Sequence, residues 1–213
     1  MEFIDENLIE YAVKNSSEES ILLKTLRKET NQKILHPRML SSSIQGRFLS
    51  FISKVIKPKN ILEIGTYTGY GTLCLSEGLH VNGEIHTIEI NEELIDFQNN
   101  FFMQSNKRNQ IFQHTGNAMN IIKQINNEFD IVFLDADKSN YLNYLKLVAP
   151  KIKKGGILIS DNVLWSGKVL TEPDEKDLDT KILKIFNTTL KNHPEFETVL
   201  LPIRDGLSLS RKN

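Results

Sequence analysis

Three charged side chains stand at the end of one apolar stretch of this chain. Residues 131–134 form an unbroken apolar run, which predicts a strand that is buried on both faces of a sheet. Asp135, Asp137 and Lys138 come directly after it. Because ligands bind at the carboxyl ends of the strands in an open parallel sheet, we expect these side chains to lie at a binding site.

A second apolar strand, predicted at residues 157–160, ends in Asp161 and Asn162. Two neighbouring strand ends would then offer carboxylate and amide oxygens to a hard divalent cation, for which Mg²⁺ is the first choice and Ca²⁺ or Mn²⁺ are alternatives. Scattered histidines and a single cysteine argue against zinc. The other interpretation is that Asp135 and Asp161 only cap the segments after them. Lys138 beside such a site suggests proton transfer.

A loop with two glycines follows the first predicted strand. Gly65 and Gly69 allow the backbone to approach a ligand closely, and Glu89, twenty residues after Gly69, can accept the hydroxyls of a ribose. A dinucleotide fingerprint would have glycine in place of Tyr67, and an acid as near as Glu63 would repel a pyrophosphate. That acid suits the ammonium group of S-adenosylmethionine. A dinucleotide site and a plain strand-to-helix turn are the alternatives.

The composition excludes some classes of protein. The 213 residues are 39% hydrophobic and 25% charged, with a formal net charge of -1, so there is no bulk electrostatic argument for binding nucleic acid or an anionic membrane. Cys74 is the single cysteine, which fits a reducing compartment. No apolar run is long enough to span a membrane, and acidic residues stand where a signal peptide would be basic. We therefore expect a cytoplasmic location and no membrane association.

Residues 1–58 predict a helical amino-terminal extension. A capping box at Ser16 and Glu19 predicts the start of one helix. Its apolar face would comprise Ile21, Leu22 and Leu26. Pro58 ends a second predicted helix. The apolar face of that helix would comprise Ile44, Phe48, Phe51, Ile52 and Val55.

From residue 60 onward, short apolar strands alternate with amphipathic helices. The predicted strands are residues 61–64, 85–89, 111–114, 131–134 and 157–160. The predicted helices are residues 70–79, 91–105, 117–125, 141–148 and 180–192. Two last strands, 197–203 and 207–211, flank an Asp-Gly turn and predict a hairpin. We therefore expect an α/β fold in one domain, residues 1–213: a doubly wound, Rossmann-like, mostly parallel seven-stranded sheet with an antiparallel C-terminal hairpin and N-terminal helices.

Four motifs carry a family resemblance. They are residues 63–70 (EIGTYTGY), 135–141 (DADKSNY), 161–167 (DNVLWSG) and 205–207 (DGL). Together and in this order they resemble the class I, cation-dependent O-methyltransferases, the family of the catechol and caffeoyl-CoA O-methyltransferases. The resemblance extends over residues 39–211. It implies the class I methyltransferase fold, S-adenosylmethionine and a divalent cation as cofactors, and methyl transfer to a vicinal dihydroxy-aromatic small molecule, catechol-like or caffeoyl-like.

The resemblance also implies a role for individual residues and a homodimer built partly with the amino-terminal helices. Lys138 would be the catalytic base. The metal ligands would be Asp135, Asp161 and Asn162. The cofactor contacts would be Ser41, Glu63, Gly65, Thr66, Gly69, Gly71, Glu89, Ala118, Asp135 and Asp137. The substrate contacts would be Met39, Trp165 and Ser166, although Trp165 could instead be a packing residue.

Two other functions remain open at the level of sequence. Relatives in this superfamily methylate a hydroxylated uridine in transfer RNA with the same motifs, and the near-neutral charge counts against that partner. The third interpretation is a non-catalytic module that binds S-adenosylmethionine. A full set of predicted metal ligands together with Lys138 counts against it.

Overall fold

Helices and strands alternate along most of the chain, after three helices at the amino terminus. The computed structural model describes residues 4–213. Its α-helices are α1 (Glu6–Lys14), α2 (Ile21–Lys33), α3 (Ser43–Ile56), α4 (Tyr70–Ser76), α5 (Ile95–Gln104), α6 (Ala118–Gln124), α7 (Tyr141–Val148) and α8 (Leu178–Lys191). Its strands are β1 (Asn60–Ile64), β2 (Glu84–Glu89), β3 (Ile111–Thr115), β4 (Phe129–Leu134), β5 (Ile152–Asp161), β6 (Phe196–Leu201) and β7 (Leu207–Lys212).

The seven strands form one sheet in the order β3-β2-β1-β4-β5-β7-β6. Strands β1 to β5 are parallel to one another, whereas β7 runs antiparallel to both β5 and β6. The predicted fold, including the C-terminal hairpin, is confirmed. The strand order reverses between β1 and β4, which is the point where such sheets bind ligands.

Each face of the sheet is covered by its own hydrophobic core. Alternate residues of β4 point to opposite faces. Val132 and Leu134 pack with side chains of α6, α7 and α8, while Ile131 and Phe133 pack with side chains of α2 to α5. Burial on both faces explains why the strand that leads to Asp135 is apolar throughout.

The start and the buried face of α2 differ from the sequence prediction. Ser20, and not Ser16, caps α2, because the Ser20 hydroxyl accepts the backbone N–H of Leu23 at 3.3 Å. The predicted capping box is therefore wrong, and Glu19 instead accepts a hydrogen bond from the hydroxyl of Tyr70. The predicted apolar face is also wrong at Ile21, which is 85% exposed.

The predicted buried face of α3 is wrong at Phe51 and Val55, although Phe48 and Ile52 do pack against the core. Phe51 and Val55 are 66% and 65% exposed. The buried face carries small residues that let α3 approach α4: a Cβ on Gly46 would lie 2.2 Å from the hydroxyl of Tyr70, and the Ser53 hydroxyl donates to a carbonyl of α4 at 2.6 Å. The small side chains of Gly46 and Ser53 therefore set the distance between α3 and α4, and the most apolar face of α3 is not the face that packs against α4.

The single cysteine and the lengths of the helices bear on the predicted location of the protein. Cys74 is free and buried. Among the helices of residues 4–213, none has both the length and the apolarity that crossing a bilayer requires. The cytoplasmic location stays a prediction.

Candidate active site

A small cleft lies above the carboxyl ends of β1 and β4. Its walls include seven of the predicted site residues, namely Met39, Ser41, Glu63, Gly65, Thr66, Gly71 and Asp135. A shallow depression along α8 contains none of the predicted residues. The cleft is therefore the candidate active site.

The turn after β1 brings the ends of two strands together. The N–H groups of Gly65 and Thr66 donate to the carbonyl of Ile88 at 3.0 and 3.2 Å, and the N–H of Asp135 donates to the carbonyl of Ile64 at 2.9 Å. Gly65 has φ 101°, and a Cβ there would lie 2.0 Å from the carbonyl oxygen of Asp135. Glycine is thus needed for β1 and β4 to meet.

The other two predicted glycines also make room for protein atoms. A Cβ on Gly69, whose φ is 87°, would lie 2.5 Å from the ring of Phe102. A Cβ on Gly71 would lie 2.5 Å from Oε1 of Glu63. These glycines make room for side chains of α5 and β1, and their contact with a cofactor stays a prediction.

Glu63 is a buried carboxyl group whose hydrogen bonds come from hydroxyls. It is 1% exposed, and Oε2 accepts from Thr87 Oγ1 at 2.6 Å and from Thr72 Oγ1. Burial raises the pKa of Glu63 to about 8, and the negative charges of Asp135 and Glu89 contribute in the same direction. A positively charged ligand group beside Glu63 would favour its ionised form.

Neither Glu89 nor Ala118 lines the cleft, although Glu89 is hydrogen-bonded to Tyr67 in its wall. Glu89 accepts the N–H of Tyr67 at 2.7 Å and the N–H of Asn91 at 2.9 Å, one on each carboxylate oxygen. Each oxygen keeps a second lone pair, so a ribose hydroxyl can still be accepted. Ala118 is the first residue of α6, which is capped by the side chain of Asn117.

Lys138 is buried beyond β4 and faces three acceptors. It is 8% exposed, and Nζ donates to Asp135 Oδ1 at 3.1 Å, to the carbonyl of Ala136 at 2.8 Å and to the Tyr141 hydroxyl at 2.8 Å. Burial raises the pKa of Tyr141 well above 10, and the negative charges of Asp135 and Asp161 add to this. Tyr141 therefore keeps its proton and donates it to the Asp161 carbonyl at 2.9 Å.

Asp161 is buried at the end of β5. Its Oδ1 accepts the N–H of Asn162 at 2.6 Å, and its Oδ2 accepts Nε2 of Gln45 at 2.5 Å. Burial raises the pKa of Asp161, and the charge of Asp135 contributes to the rise. Asn162 has φ 57° and donates through Nδ2 to Asp205 at 3.3 Å, so its side-chain oxygen remains free to bind a ligand.

The oxygens at these strand ends suit a hard divalent cation. Asp135 and Asp161 are near enough for the charge of one to raise the pKa of the other, so an added cation would reduce their repulsion. Two carboxylates, one amide oxygen and water form a set of the kind that Mg²⁺ accepts. No group of three or more His, Cys, Asp or Glu residues within 4–213 could hold a metal, which leaves this mixed set as the candidate. The predicted metal ligands stay a prediction.

The predicted substrate contacts differ in exposure. Met39 lines the cleft and is 59% exposed. Trp165 is half-buried and packs against the core on the α6–α8 side of the sheet. Ser166 is exposed, and its backbone N–H donates to Asp205 at 2.5 Å. Trp165 and Ser166 both have positive φ, 47° and 53°, so Asp205 holds a strained turn beside the site.

Asp137 does not line the cleft. Its Oδ1 accepts the hydroxyl of Tyr144 at 2.7 Å, and its Oδ2 accepts the side-chain amide of Asn140 at 2.6 Å. These bonds hold the start of α7 against the strand end. If Asp137 contacts the cofactor, it does so through an exposed carboxylate whose two oxygens already accept hydrogen bonds within the chain.

Four further residues contact the predicted site residues or line the cleft: Gln45, Thr68, Tyr141 and Asp205. Tyr141 lies within one of the sequence motifs and Asp205 within another, so the motifs could have indicated that both residues belong to the site. Thr68 lies in the glycine loop, and its buried hydroxyl has no hydrogen-bond partner among the described residues. Gln45 belongs to none of the motifs, and its role depends on where α3 packs.

Comparison with known proteins gives the family. An O-methyltransferase family model matches residues 13–213. Caffeoyl-CoA O-methyltransferase 1 of Eucalyptus globulus is 34% identical over 203 residues, covering 89% of this chain and 81% of the relative. The caffeoyl-CoA O-methyltransferase of Medicago sativa is 32% identical over 204 residues, with 89% and 81% covered.

Solved structures agree with this assignment. An SAH-bound methyltransferase of Podospora anserina matches with a TM-score of 0.89 at 28% identity, covering 98% of this chain and 94% of that one. An O-methyltransferase of Bacillus cereus in complex with SAH matches with a TM-score of 0.89 at 25% identity, covering 97% of each chain. The predicted resemblance is confirmed, and the chain belongs to the O-methyltransferase family.

Proposed function

We propose that this enzyme transfers the methyl group of S-adenosylmethionine to one hydroxyl of a vicinal dihydroxy-aromatic molecule, with the help of a divalent cation. The observation that carries the proposal is the grouping of Glu63, Asp135, Asp161 and Lys138 around adjacent strand ends. The SAH in the Podospora and Bacillus structures supports the cofactor, because methyl donation converts S-adenosylmethionine into SAH. The caffeoyl-CoA enzymes among the relatives support a caffeoyl-like acceptor.

The cofactor would occupy the cleft above β1 and β4. Glu63 would face its ammonium group, since this buried carboxyl group has acidic neighbours and hydroxyl donors. Glu89 would accept the ribose hydroxyls at the end of β2. The hydroxyl of Thr68 is buried without a hydrogen-bond partner in the described structure, so it could serve the same ligand.

Methyl transfer to oxygen is an in-line displacement, which requires an anionic acceptor held against the methyl carbon. A phenol titrates near pH 10, so about one part in a thousand is ionised at pH 7. A divalent cation at Asp135, Asp161 and Asn162 would stabilise the anion and orient both hydroxyls. Lys138 would accept the departing proton, and the Tyr141 hydroxyl, 2.8 Å from Nζ, would hold Lys138 in place.

A methyl-transfer screen tests this function. Catechols, caffeoyl esters and hydroxyuridine-containing transfer RNA would each be assayed with Mg²⁺ and after exhaustive chelation. We expect transfer to a dihydroxy-aromatic acceptor that stops on chelation and returns when Mg²⁺ is added back. Activity that persists after chelation would exclude the metal role. Transfer to RNA alone would exclude the proposed acceptor, and cofactor binding without any transfer would indicate a non-catalytic module.

We also propose that the chain forms a homodimer through α1 and α3. Helix α1 has no buried residue, and its Leu8 and Tyr11 are 61% and 67% exposed. Phe51 and Val55 on α3 are similarly exposed, at 66% and 65%. These apolar side chains would be covered by the same helices of a second copy, as a two-fold interface requires.

Replacing Phe51 with glutamate is expected to shift the protein to a monomer in light scattering, because the charge would lie in the apolar interface. Circular dichroism should stay unchanged, since Phe51 is exposed within its own chain. Ile185→Glu is the matched control, because Ile185 is 52% exposed on α8, away from this face. A wild-type protein that is already monomeric would contradict the proposal.

A further inference from the structure

Gln45 connects the amino-terminal helices to the predicted metal site. It lies in α3, is fully buried, and donates from Nε2 to Oδ2 of Asp161 at 2.5 Å. The two residues are 116 positions apart in the chain. The motifs that carry the family resemblance do not include Gln45, and the chemistry proposed above does not use it.

The chemistry of the two groups determines how the Gln45 amide is oriented. A carboxylate that binds a cation is ionised and can only accept hydrogen bonds, so the amide must present its NH₂ group to Asp161. In that orientation Oε1 of Gln45 is buried and has no hydrogen-bond partner in the described part of the chain. A buried amide oxygen without a partner lowers stability. Packing alone therefore does not account for a glutamine at this position, where an apolar side chain of equal length would avoid that loss.

The bond from Gln45 completes the fixation of the Asp161 carboxylate. Its other oxygen, Oδ1, accepts the backbone N–H of Asn162 at 2.6 Å. With one donor on each oxygen, the carboxylate cannot rotate without breaking a hydrogen bond. Each oxygen keeps a lone pair for a further ligand. Removal of such a supporting partner typically lowers metal affinity or activity by 10–100-fold in metalloproteins.

We propose that Gln45 is a positioning residue, whose amide holds the Asp161 carboxylate in the orientation that binds the cation. The inference rests on the proposed function, because it takes Asp161 as a metal ligand. The proposal also gives α3 a role in the chemistry. This helix exposes Phe51 on one face and places Gln45 against Asp161 on another.

Mn²⁺ binding to Gln45→Met tests the inference, because methionine keeps the length of the side chain and removes the donor. Titration of the apoprotein, followed by the electron paramagnetic resonance signal of free Mn²⁺, gives the affinity without any turnover. We expect the Kd for Mn²⁺ to rise about tenfold or more. The Kd for S-adenosylmethionine should stay within about twofold of wild type, and saturating Mn²⁺ should restore most of kcat, as expected for a residue that acts through a metal ligand.

Ser53→Ala is the matched control. It removes a buried hydrogen bond of the same helix, from the Ser53 hydroxyl to the Leu75 carbonyl at 2.6 Å, without contacting Asp161. Its Mn²⁺ affinity should equal that of wild type. If Gln45→Met does not fold, Gln45→Asn replaces it, because the shorter amide cannot reach Asp161. Unchanged Mn²⁺ affinity in the Gln45 variant would overturn the inference and leave the proposed function standing. A wild-type protein that binds no Mn²⁺ would overturn both.

Discussion

Replacing Lys138 with alanine is expected to lower kcat by about 10²–10⁴-fold and to leave the Kd for S-adenosylmethionine near its wild-type value. Nζ contacts Asp135, which lines the cleft and is a predicted metal ligand, whereas Lys138 itself does not line the cleft. The loss should therefore fall on the chemical step. Steady-state kinetics with the acceptor found in the screen, together with calorimetric titration of the cofactor, would separate the two effects.

The hydrogen bonds of Lys138 bear on whether it acts as a base or as a fixed positive charge. An ammonium group has three donors, and Nζ has three acceptors in Asp135, Ala136 and Tyr141. A base must be neutral, so proton transfer would require one of these bonds to be released. A permanently charged Lys138 would instead stabilise the oxyanion.

Lys138→Arg distinguishes these two roles, because arginine keeps the charge and does not act as a base near neutral pH. If Lys138 is the base, the arginine variant should be about as slow as the alanine variant. If Lys138 only supplies charge, arginine should retain a large part of kcat. Lys151→Ala is the control, since Lys151 also donates to a backbone carbonyl, that of Ile125, at 2.6 Å, away from the site. Wild-type kcat in Lys138→Ala would rule out both roles.

The central sheet was predictable because both of its faces are covered. Residues 131–134 could be continuously apolar only if the strand lay between two layers of helices, and Ile131 and Val132 do pack with opposite layers. The Asp-Gly turn at Asp205 likewise predicted the terminal hairpin. Strand ends in such a sheet converge by topology, so the positions of Asp135 and Asp161 followed from the same pattern.

The amino-terminal helices were less predictable, because periodicity finds an apolar face without showing what covers it. In α3 the face that packs inside the chain contains Gly46 and Ser53, while Phe51 lies outside. Helix starts are similarly ambiguous, since Ser16 and Ser20 are both plausible caps and only the chain path selects Ser20.

Partners of the site residues depend on register and tertiary packing. Thr87 donates to Glu63 because the two residues are paired across β1 and β2, a register that hydrophobic pattern alone does not specify. Gln45 reaches Asp161 only because α3 packs closely against α4. The sequence motifs thus contain most of the predicted site residues, whereas supporting residues such as Thr87 and Gln45 lie outside the motifs.

Gly65→Ala is expected to abolish cofactor binding and to lower Tm by roughly 10 °C. The new Cβ would lie 2.0 Å from the Asp135 carbonyl oxygen, and the backbone has φ 101°. A left-handed conformation costs about 1–2 kcal/mol and overpacking about 1–3 kcal/mol, which together correspond to roughly 10 °C in a protein of this size. The ends of β1 and β4 would be forced apart, and Glu63 and Asp135 would move with them. Thermal unfolding and calorimetry with S-adenosylmethionine measure the two effects.

Gly155→Ala is the control that isolates the close approach of the strands. Gly155 also has a positive φ of 80°, but a Cβ there would meet no atom within 4 Å. This variant should lose only the backbone contribution of about 1–2 kcal/mol and should bind S-adenosylmethionine like the wild type. If Gly65→Ala matched it in both Tm and cofactor affinity, contact between the β1 turn and Asp135 would not be what the site requires. A larger loss in Gly65→Ala alone would show that the glycine is needed because Asp135 comes close to the turn.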